Sequence, residues 1–548
     1  MTMRSGGEIL VAALRTHGCD RIFGVPGESY LPLLDALYGR DDIEFVTCRH
    51  EAGAANMAEA DGKLTGRPGV CSVSRGPGAM HAAIGLHTAQ QDSTPMILLV
   101  GQVPTDQRGL GAFQEMDYTA VFGSVAKYVA EIDDPASIPA IFEEAWRAAM
   151  TGRRGPVVLS LPEDMLAAVS DVADRGVTHL AAVLADDAAM QTLAAMLGQA
   201  SRPILIVGGS GWDGSSCVAI AQFAERQGLP VVAGFRCQDI VPVRHPNYIG
   251  DLGFAPSPAL LARIAEADLL VVVGERLGDL TTQGYTLLER PKPRQQFVHV
   301  YPDQSEIGRV FEADVAIVAD IACFSDAACA FGRPDPVLRG AWLADARNDY
   351  LAFQALPALR PRPGFVDMTE LMGWLRDALP RDSIVTNGAG NYSGWVNRFY
   401  RYDGFRTQLA PVSGAMGYGV PAAIAAKMRY PDRPVVAFAG DGCFTMAMTE
   451  VATAVQYDVP IIVIVVNNGL YGSIHMHQER HYPGHRIGIA LSNPDFAALG
   501  RSFGARGALA LTIEAFIEAF RAAAQSEVCT IIDVRVDPAL ITPSTSLN

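Results

Sequence analysis

A carboxylate between two glycines, Gly440-Asp441-Gly442, and an amide pair, Asn467-Asn468, bracket residues 443–466. Their side chains suit a hard divalent cation. One carboxylate, one side-chain amide and a nearby backbone carbonyl make an oxygen-only half-shell of the kind that holds magnesium jointly with phosphate oxygens. The flanking glycines let backbone approach those phosphates closely. Taken singly, a Gly-Asp-Gly turn and an Asn-Asn loop are ordinary connections, and a nucleotide diphosphate would suit such a site as well as any other.

The flanking segments explain how the two marks would be presented. VVAFAG before Asp441 and PIIVIVV before Asn467 are short, β-branched-rich runs typical of buried parallel strands, and FTMAMTEVATAVQYD between them has helical length and composition. Such a β-α-β unit puts Asp441 and Asn468 at strand C-terminal ends, where open α/β sheets bind ligands. It also aims the amides of the following helix at the phosphates. The same alternation recurs along the chain: RIFGV, IEFVTC, GVCSVS, MILLVG and PVVLSL early, RPILIVGG, LPVVAG, ADLLVVVG and QFVHVYP in the middle, SIVTN and CTIIDVRV late. The expected class is α/β, with three doubly wound parallel-sheet domains over 1–168, 185–345 and 360–535. The joins DVADRGVTHLAAVLADD and ALPALRPRPGF are polar or proline-rich, as linkers are.

Composition narrows the class of partner. With 49% hydrophobic and 19% charged residues, the 548-residue chain can bury several cores. Its formal net charge of -16 argues against nucleic acid or an anionic membrane as partner. The nine cysteines include no C-x-x-C pair, which reads as reduced, buried thiols. The N-terminal apolar patch is too short and interrupted for a signal peptide or span, so the expected location is cytoplasmic. Gly209-Ser210-Gly211-Trp212-Asp213-Gly214 is a formal G-x-G-x-x-G, but Glu225 comes too early and Asp239 too late for the acidic partner of a dinucleotide fingerprint.

A second constellation lies in the first block, where Arg49-His50-Glu51 follows a strand-like run and opens a helix-like one. A glutamate at a helix N-terminus is also ordinary dipole complementation. The two constellations together resemble the thiamin diphosphate-dependent enzymes, specifically the acetohydroxyacid (acetolactate) synthases and related 2-oxoacid decarboxylases. GDG followed at this spacing by NN is that family's cofactor motif, and R-H-E resembles its pyrimidine-domain segment. FGVPGESYLPLLDAL, SRGPGAMHA, DSTPMILLVGQVP, GAFQEMD and PVSGAMGYGVPAAIAA resemble further family blocks in the same order, over essentially the whole chain.

The resemblance implies a pyrimidine-binding, a central and a diphosphate-binding domain, with thiamin diphosphate and Mg2+ as cofactors. It implies that Glu51 exchanges a proton with the aminopyrimidine, that Gly27 lies beside the reacting carbon, and that Phe113 and Gln114 approach bound intermediates. It places Met416 between the cofactor rings, forcing them together. Gly388, Ala389, Gly390, Gly414, Gly440, Gly442, Cys443, Tyr471 and Gly472 join the cofactor-binding set, and Asp441, Asn468 and the carbonyl of Leu470 the metal set. His81 stands where these synthases commonly carry Asn, either as an interior histidine or as a new polar contact.

The match departs in three places. The loop TNGAGNYSGW replaces the usual G-Q-H-Q. Met476-His477-Gln478 replaces Q-W-Q, so a preference for 2-oxobutyrate does not carry over, and His477 is left as a group for binding a carboxylate or relaying a proton. His477, His481 and His485 would share a helix face, but Pro483 and Gly484 interrupt it and argue against zinc. Gly274-Glu275-Arg276-Leu277-Gly278-Asp279-Leu280 and His299-Val300-Tyr301-Pro302-Asp303 are altered forms of the family's flavin-contacting segments, which leaves FAD open.

The expected activity is decarboxylation of a pyruvate-like 2-oxoacid and carboligation to a second carbonyl compound. A non-ligating decarboxylase releasing an aldehyde is the nearest alternative, and a non-catalytic binding protein of the same fold is another. The family's shared sites imply a homo-oligomer, a dimer at minimum and a tetramer as the expected assembly.

Overall fold

The computed structural model describes residues 2–332, 339–355 and 360–547. Part of the join ALPALRPRPGF and part of the middle block lie outside the described residues. Three six-stranded sheets dominate, with every neighbouring pair of strands parallel. Their strands read as unbroken apolar runs, such as Met96–Gln102, Leu269–Val273 and Ile462–Asn467, each fully buried. Helices must therefore cover both faces. Counting strands along the chain within each sheet, the first and third sheets share the spatial order 2-1-3-4-6-5, and the middle one runs 3-2-1-4-5-6. No helix of the described residues is long and apolar enough to cross a membrane.

The first and third domains are not independent bodies. One hydrophobic cluster contains Phe23, Met57, Leu86 and Val158 from the first and Ile424, Ala437, Val451 and Ile531 from the third. Its seam is the packing of the helix Glu51–Thr65 on the helix Gly419–Arg429. Ala54, Ala55, Ala58, Ala422, Ala423 and Ala426 supply small, fully buried side chains along it. Buried polar groups fix the register: Tyr418 donates to Glu59 at 2.6 Å, Thr94 donates to its other oxygen at 2.7 Å, and Lys63 sits 3.1 Å away. The middle domain keeps its own clusters, drawn from residues 190–350.

The segment expected as one helix after Asp441 is broken. It forms Asp441–Thr445 and Glu450–Gln456 with a turn between. The second piece opens on a contact with the first domain. Glu450 is fully buried and accepts hydrogen bonds from the backbone N–H of Arg49 at 3.2 Å and of His50 at 2.9 Å, and from Thr453 at 2.7 Å.

Candidate active site

In the third domain, four neighbouring strands end in the loops expected to hold a cofactor: 384–387 before Gly388–Gly390, 408–409 before Gly414 and Met416, 435–440 before Asp441, and 462–467 before Asn468. These ends enclose a solvent-open cavity of about 240 Å³. Ala389, Gly390, Gly414, Met416, Gly440, Asp441, Gly442, Cys443, Asn468, Leu470, Tyr471 and Gly472 all line it. Gly388 lies just behind, where a β-carbon would meet Cys443 Sγ at 2.5 Å. Gly414 has φ 68°, which only glycine adopts freely. Gly442 lies under the Tyr471 ring, with Cε1 2.5 Å from where a β-carbon would stand.

Asp441 is 3% exposed, and its hydrogen-bond partners are all neutral N–H donors. Gly442 N–H donates to Oδ1 at 2.9 Å, and Gly469 N–H and Asn493 Nδ2 donate to Oδ2 at 2.8 and 2.7 Å. Burial pushes its carboxyl above the usual range, and those donors only partly offset the shift. A buried carboxylate without a cationic partner is a fitting ligand for a divalent ion. The two asparagines divide their work. Asn467 is a structural tie, donating to Asp533 at 3.0 Å and accepting from Asn493 at 3.0 Å. Asn468 faces the cavity, with Oδ1 accepting from Leu470 N–H at 3.0 Å.

The first domain repeats this arrangement with different side chains. Gly27, Glu51, the first turns of the helix Gly76–Asp92 that carries His81, and Phe113-Gln114 follow the C-terminal ends of its four corresponding strands. Gly27 approaches Ser74 so closely that a β-carbon would lie 2.6 Å from Ser74 Cβ. Gln114, at φ 64°, accepts from Gly76 N–H at 3.1 Å, and Phe113 is 72% exposed. Glu51 is the first residue of its helix, and Oε2 lies 2.9 Å from His81 Nδ1.

The two half-sites do not meet within one chain. Among the described residues, none before Val366 lines the third-domain cavity. Met416 faces both that cavity and a second opening lined by His50, Gly53 and Glu450. His477 is exposed, and its ring lies 6.3 Å from that of His481. The helix carrying both ends at His481, and among the described residues only His50, Glu51 and His81 cluster as potential metal ligands. The helix instead presents Ser473 and Ile474 to the cavity.

Sequence reading missed several neighbours of the site. Asn493 reaches Asp441 from beyond the next loop, and Tyr392 bonds Gly388 N–H at 3.1 Å. Val536, Asp537 and Leu540 to Pro543 line the cavity although they lie past the last strand of the sheet. Only proximity to motif residues could have drawn attention to Tyr392; Asn493 and the terminal segment carry no local signal.

The flavin-like segments of the middle domain are already occupied by protein contacts. Glu275 is buried against Gly208 and Gly234, leaving no room for a β-carbon at either, and accepts from Leu277 N–H at 3.1 Å. His299 bonds the Glu275 carbonyl at 2.9 Å, and Arg276 pairs with Glu306 at 3.2 Å. The Trp212 indole donates to Gly208 O at 2.9 Å within the G-x-G-x-x-G loop.

Comparisons with known proteins agree with this architecture. Residues 4–121 match the model of the thiamine pyrophosphate enzyme N-terminal TPP binding domain, 190–327 that of the central domain, and 388–534 that of the C-terminal TPP binding domain. The chain is 33% identical to the acetolactate synthase large subunit of Parasynechococcus marenigrum, over 97% of this chain and 87% of that protein. It is 30% identical to the probable acetolactate synthase large subunit of Methanocaldococcus jannaschii, covering 98% and 93% of the two chains. It is also 30% identical to the acetolactate synthase isozyme 2 large subunit of Escherichia coli, covering 92% and 90%. Two sheets of one strand order, ligand loops at their C-terminal ends, and these matches establish that the chain belongs to the thiamin diphosphate-dependent enzyme family, among relatives of the acetolactate synthase large subunits.

Proposed function

We propose that this acetolactate synthase-like, thiamin diphosphate-dependent enzyme decarboxylates a pyruvate-like 2-oxoacid and ligates the remaining fragment to a second carbonyl compound. The observation that carries the reading is the pair of half-sites: Asp441 and Asn468 at strand C-terminal ends of one sheet, Glu51 at a strand C-terminal end of its sibling of the same strand order. Thiamin diphosphate, when bound, supplies the electron sink for loss of carbon dioxide. Asp441, Asn468 and the Leu470 carbonyl hold Mg2+, and the glycine loops around them receive the diphosphate. Met416 orients the cofactor. Glu51 gives and takes the proton at its carboxylate, and Gly27, Phe113 and Gln114 border the substrate.

Because Glu51 lies outside the Asp441 cavity of its own chain, the complete site needs two chains, so a homodimer is the smallest working unit and a tetramer can be built from it. We take residues 1–168, 185–345 and 360–535 as the three units and the cytoplasm as their location. Glu275, Arg276 and His299 bond neighbouring protein groups, while a cavity beside Gly209, Gly211, Trp212 and Arg236 leaves room for a flavin nucleotide to be sought. No step is assigned to flavin; a purified protein with stoichiometric flavin absorbance would overturn that.

The deciding experiment is product identification after incubation with pyruvate, alone and with added aldehydes or 2-oxoacids. Acetolactate or another 2-hydroxyketone supports ligation. Free aldehyde alone assigns the chain to simple decarboxylation, and failure to bind thiamin diphosphate with Mg2+ in calorimetry refutes the enzyme reading.

A further inference from the structure

One side chain of the middle domain reaches the cofactor loops of the third. Arg236 follows the strand Val231–Ala233 and is 6% exposed. Its Nη2 donates to the Gly388 carbonyl at 2.9 Å, and its Nη1 donates to the Pro411 carbonyl. Those carbonyls open the two loops that run on to Ala389 and Gly390 and to Gly414 and Met416, all of which line the Asp441 cavity. Gln238 and Asp239 also cross to the third domain, but they hold other parts of it. Gln238 Nε2 donates to the Asn397 carbonyl at 2.8 Å, and Asp239 accepts from Thr407 and Gln408 N–H at 3.2 and 3.3 Å.

What Arg236 fixes is the orientation of two peptide planes. In a planar trans peptide the carbonyl and the following N–H point in opposite directions, so holding one aims the other. Asn387 Nδ2 donates to the Gly388 carbonyl at 2.8 Å, beside Arg236, and the opposite edge of that peptide, Ala389 N–H, bonds the Cys443 sulfur. The Pro411 carbonyl also accepts Gly414 N–H at 3.0 Å, closing the turn in which Gly414 has its positive φ. The opposite edge there, Val412 N–H, donates to Asp92 of the first domain at 2.8 Å. Arg236 is held in place at a cost. It has φ 60°, at the third position of a turn closed by Cys237 N–H on the Gly234 carbonyl at 3.2 Å, where glycine or asparagine is usual. Its Nε has no partner among the described residues. A strained backbone and an unused buried donor persist where the surroundings impose them, and such residues cluster at functional sites.

We propose that Arg236 is a positioning residue for the cofactor: from the middle domain it sets the Gly388–Ala389 and Pro411–Val412 peptide planes, and through them the loops that receive the diphosphate and carry Met416. The inference rests on the cofactor role given to those loops above. A guanidinium suits the task because its planar fork gives N–H groups to two carbonyls at once, whereas an ammonium is a compact charge without that fixed geometry. Methionine fills similar space and makes neither bond.

The test is calorimetric titration of the full-length apoprotein with thiamin diphosphate at saturating Mg2+, beside thermal unfolding of the same apoprotein. Arg236→Met is expected to bind about tenfold to a hundredfold more weakly, the scale of one hydrogen bond to a charged group, with Arg236→Lys between it and the parent. Gln238→Ala is the control for a loosened junction between the domains: it should lower the unfolding midpoint and keep parental affinity. Parental affinity in Arg236→Met overturns the assignment. So does a loss in Gln238→Ala as large as that in Arg236→Met, which would make the effect one of domain packing alone. Should Arg236→Met fail to fold, Arg236→Lys carries the test: binding weaker than that of Gln238→Ala supports the role, and parental binding overturns it. A parent that does not bind thiamin diphosphate refutes the cofactor reading itself, whereas a parent that binds beside an equally tight Arg236→Met refutes the positioning role alone.

Discussion

Glu450→Ala tests whether the Glu51 helix is held from the third domain. The side chain is 0% exposed and accepts two backbone N–H groups, those of Arg49 and His50, immediately before Glu51. Removing the acceptor leaves both donors without their protein partner beside the opening that Glu450 lines, at the low end of about 1–3 kcal/mol each. One buried methylene is lost as well, at about 0.8 kcal/mol. Against this stands relief of a buried charge, since burial raises the Glu450 carboxyl and truncation removes that penalty. The net expectation is a loss of about 2 kcal/mol. Glu450→Gln keeps an oxygen for His50 N–H and should cost about 1 kcal/mol. Urea unfolding monitored by tryptophan fluorescence, with and without cofactor, reads the stability. Product formation should fall in Glu450→Ala but largely survive in Glu450→Gln. An alanine variant as stable and active as the parent would refute the idea that this contact positions Glu51.

Asp441→Asn should abolish Mg2+-dependent binding of thiamin diphosphate in calorimetry while the apoprotein stays folded, because the lost charge has only neutral partners. Co-expressed Glu51→Gln and Asp441→Asn chains should regain activity, about a quarter of the parental value for random pairing of two-site dimers; no recovery would place both halves of the site in one chain. Burial raises the carboxyl of Asp239 to about 6, with Thr407 and Gln408 N–H groups on it at 3.2 and 3.3 Å. A raised value means that its stabilising share is fully present below the unfolded pKa, near 3.8, and is lost as pH rises through about 6. Relative to Asp239→Asn, the parent should therefore lose stability between pH 4 and pH 7.5, by up to about 3 kcal/mol; a flat difference would show that the shift is absent.

What the sequence made legible was local. Apolar runs such as PIIVIVV have no stable fate except a buried strand, and GDG or RHE follow such runs directly, so strand ends and their loops could be placed from neighbours in the chain. The contacts that stayed hidden join residues far apart. Glu450 reads as an ordinary helical glutamate until Arg49 and His50 are brought to it at the start of the second piece of the helix expected over 444–458. Asn493 sits in a loop with no pattern, and the Val536–Pro543 segment reaches the cavity only because the last strand delivers it there. His81 was visible as an odd residue in a familiar block, but its partner was not, since nothing in spacing says that position 81 faces position 51.

The core shared by the first and third domains sets a timetable for synthesis. The alanine face of the Glu51–Thr65 helix is covered by Gly419–Arg429, which leaves the ribosome only after the whole middle domain has been made. At bacterial or slower translation rates of about 5–20 residues per second, that face waits on the order of half a minute for its cover. The middle domain, whose buried cluster residues all come from 190–350, can fold during the wait. A nascent chain halted before residue 419 should therefore expose a protease-sensitive first domain beside an already resistant middle one.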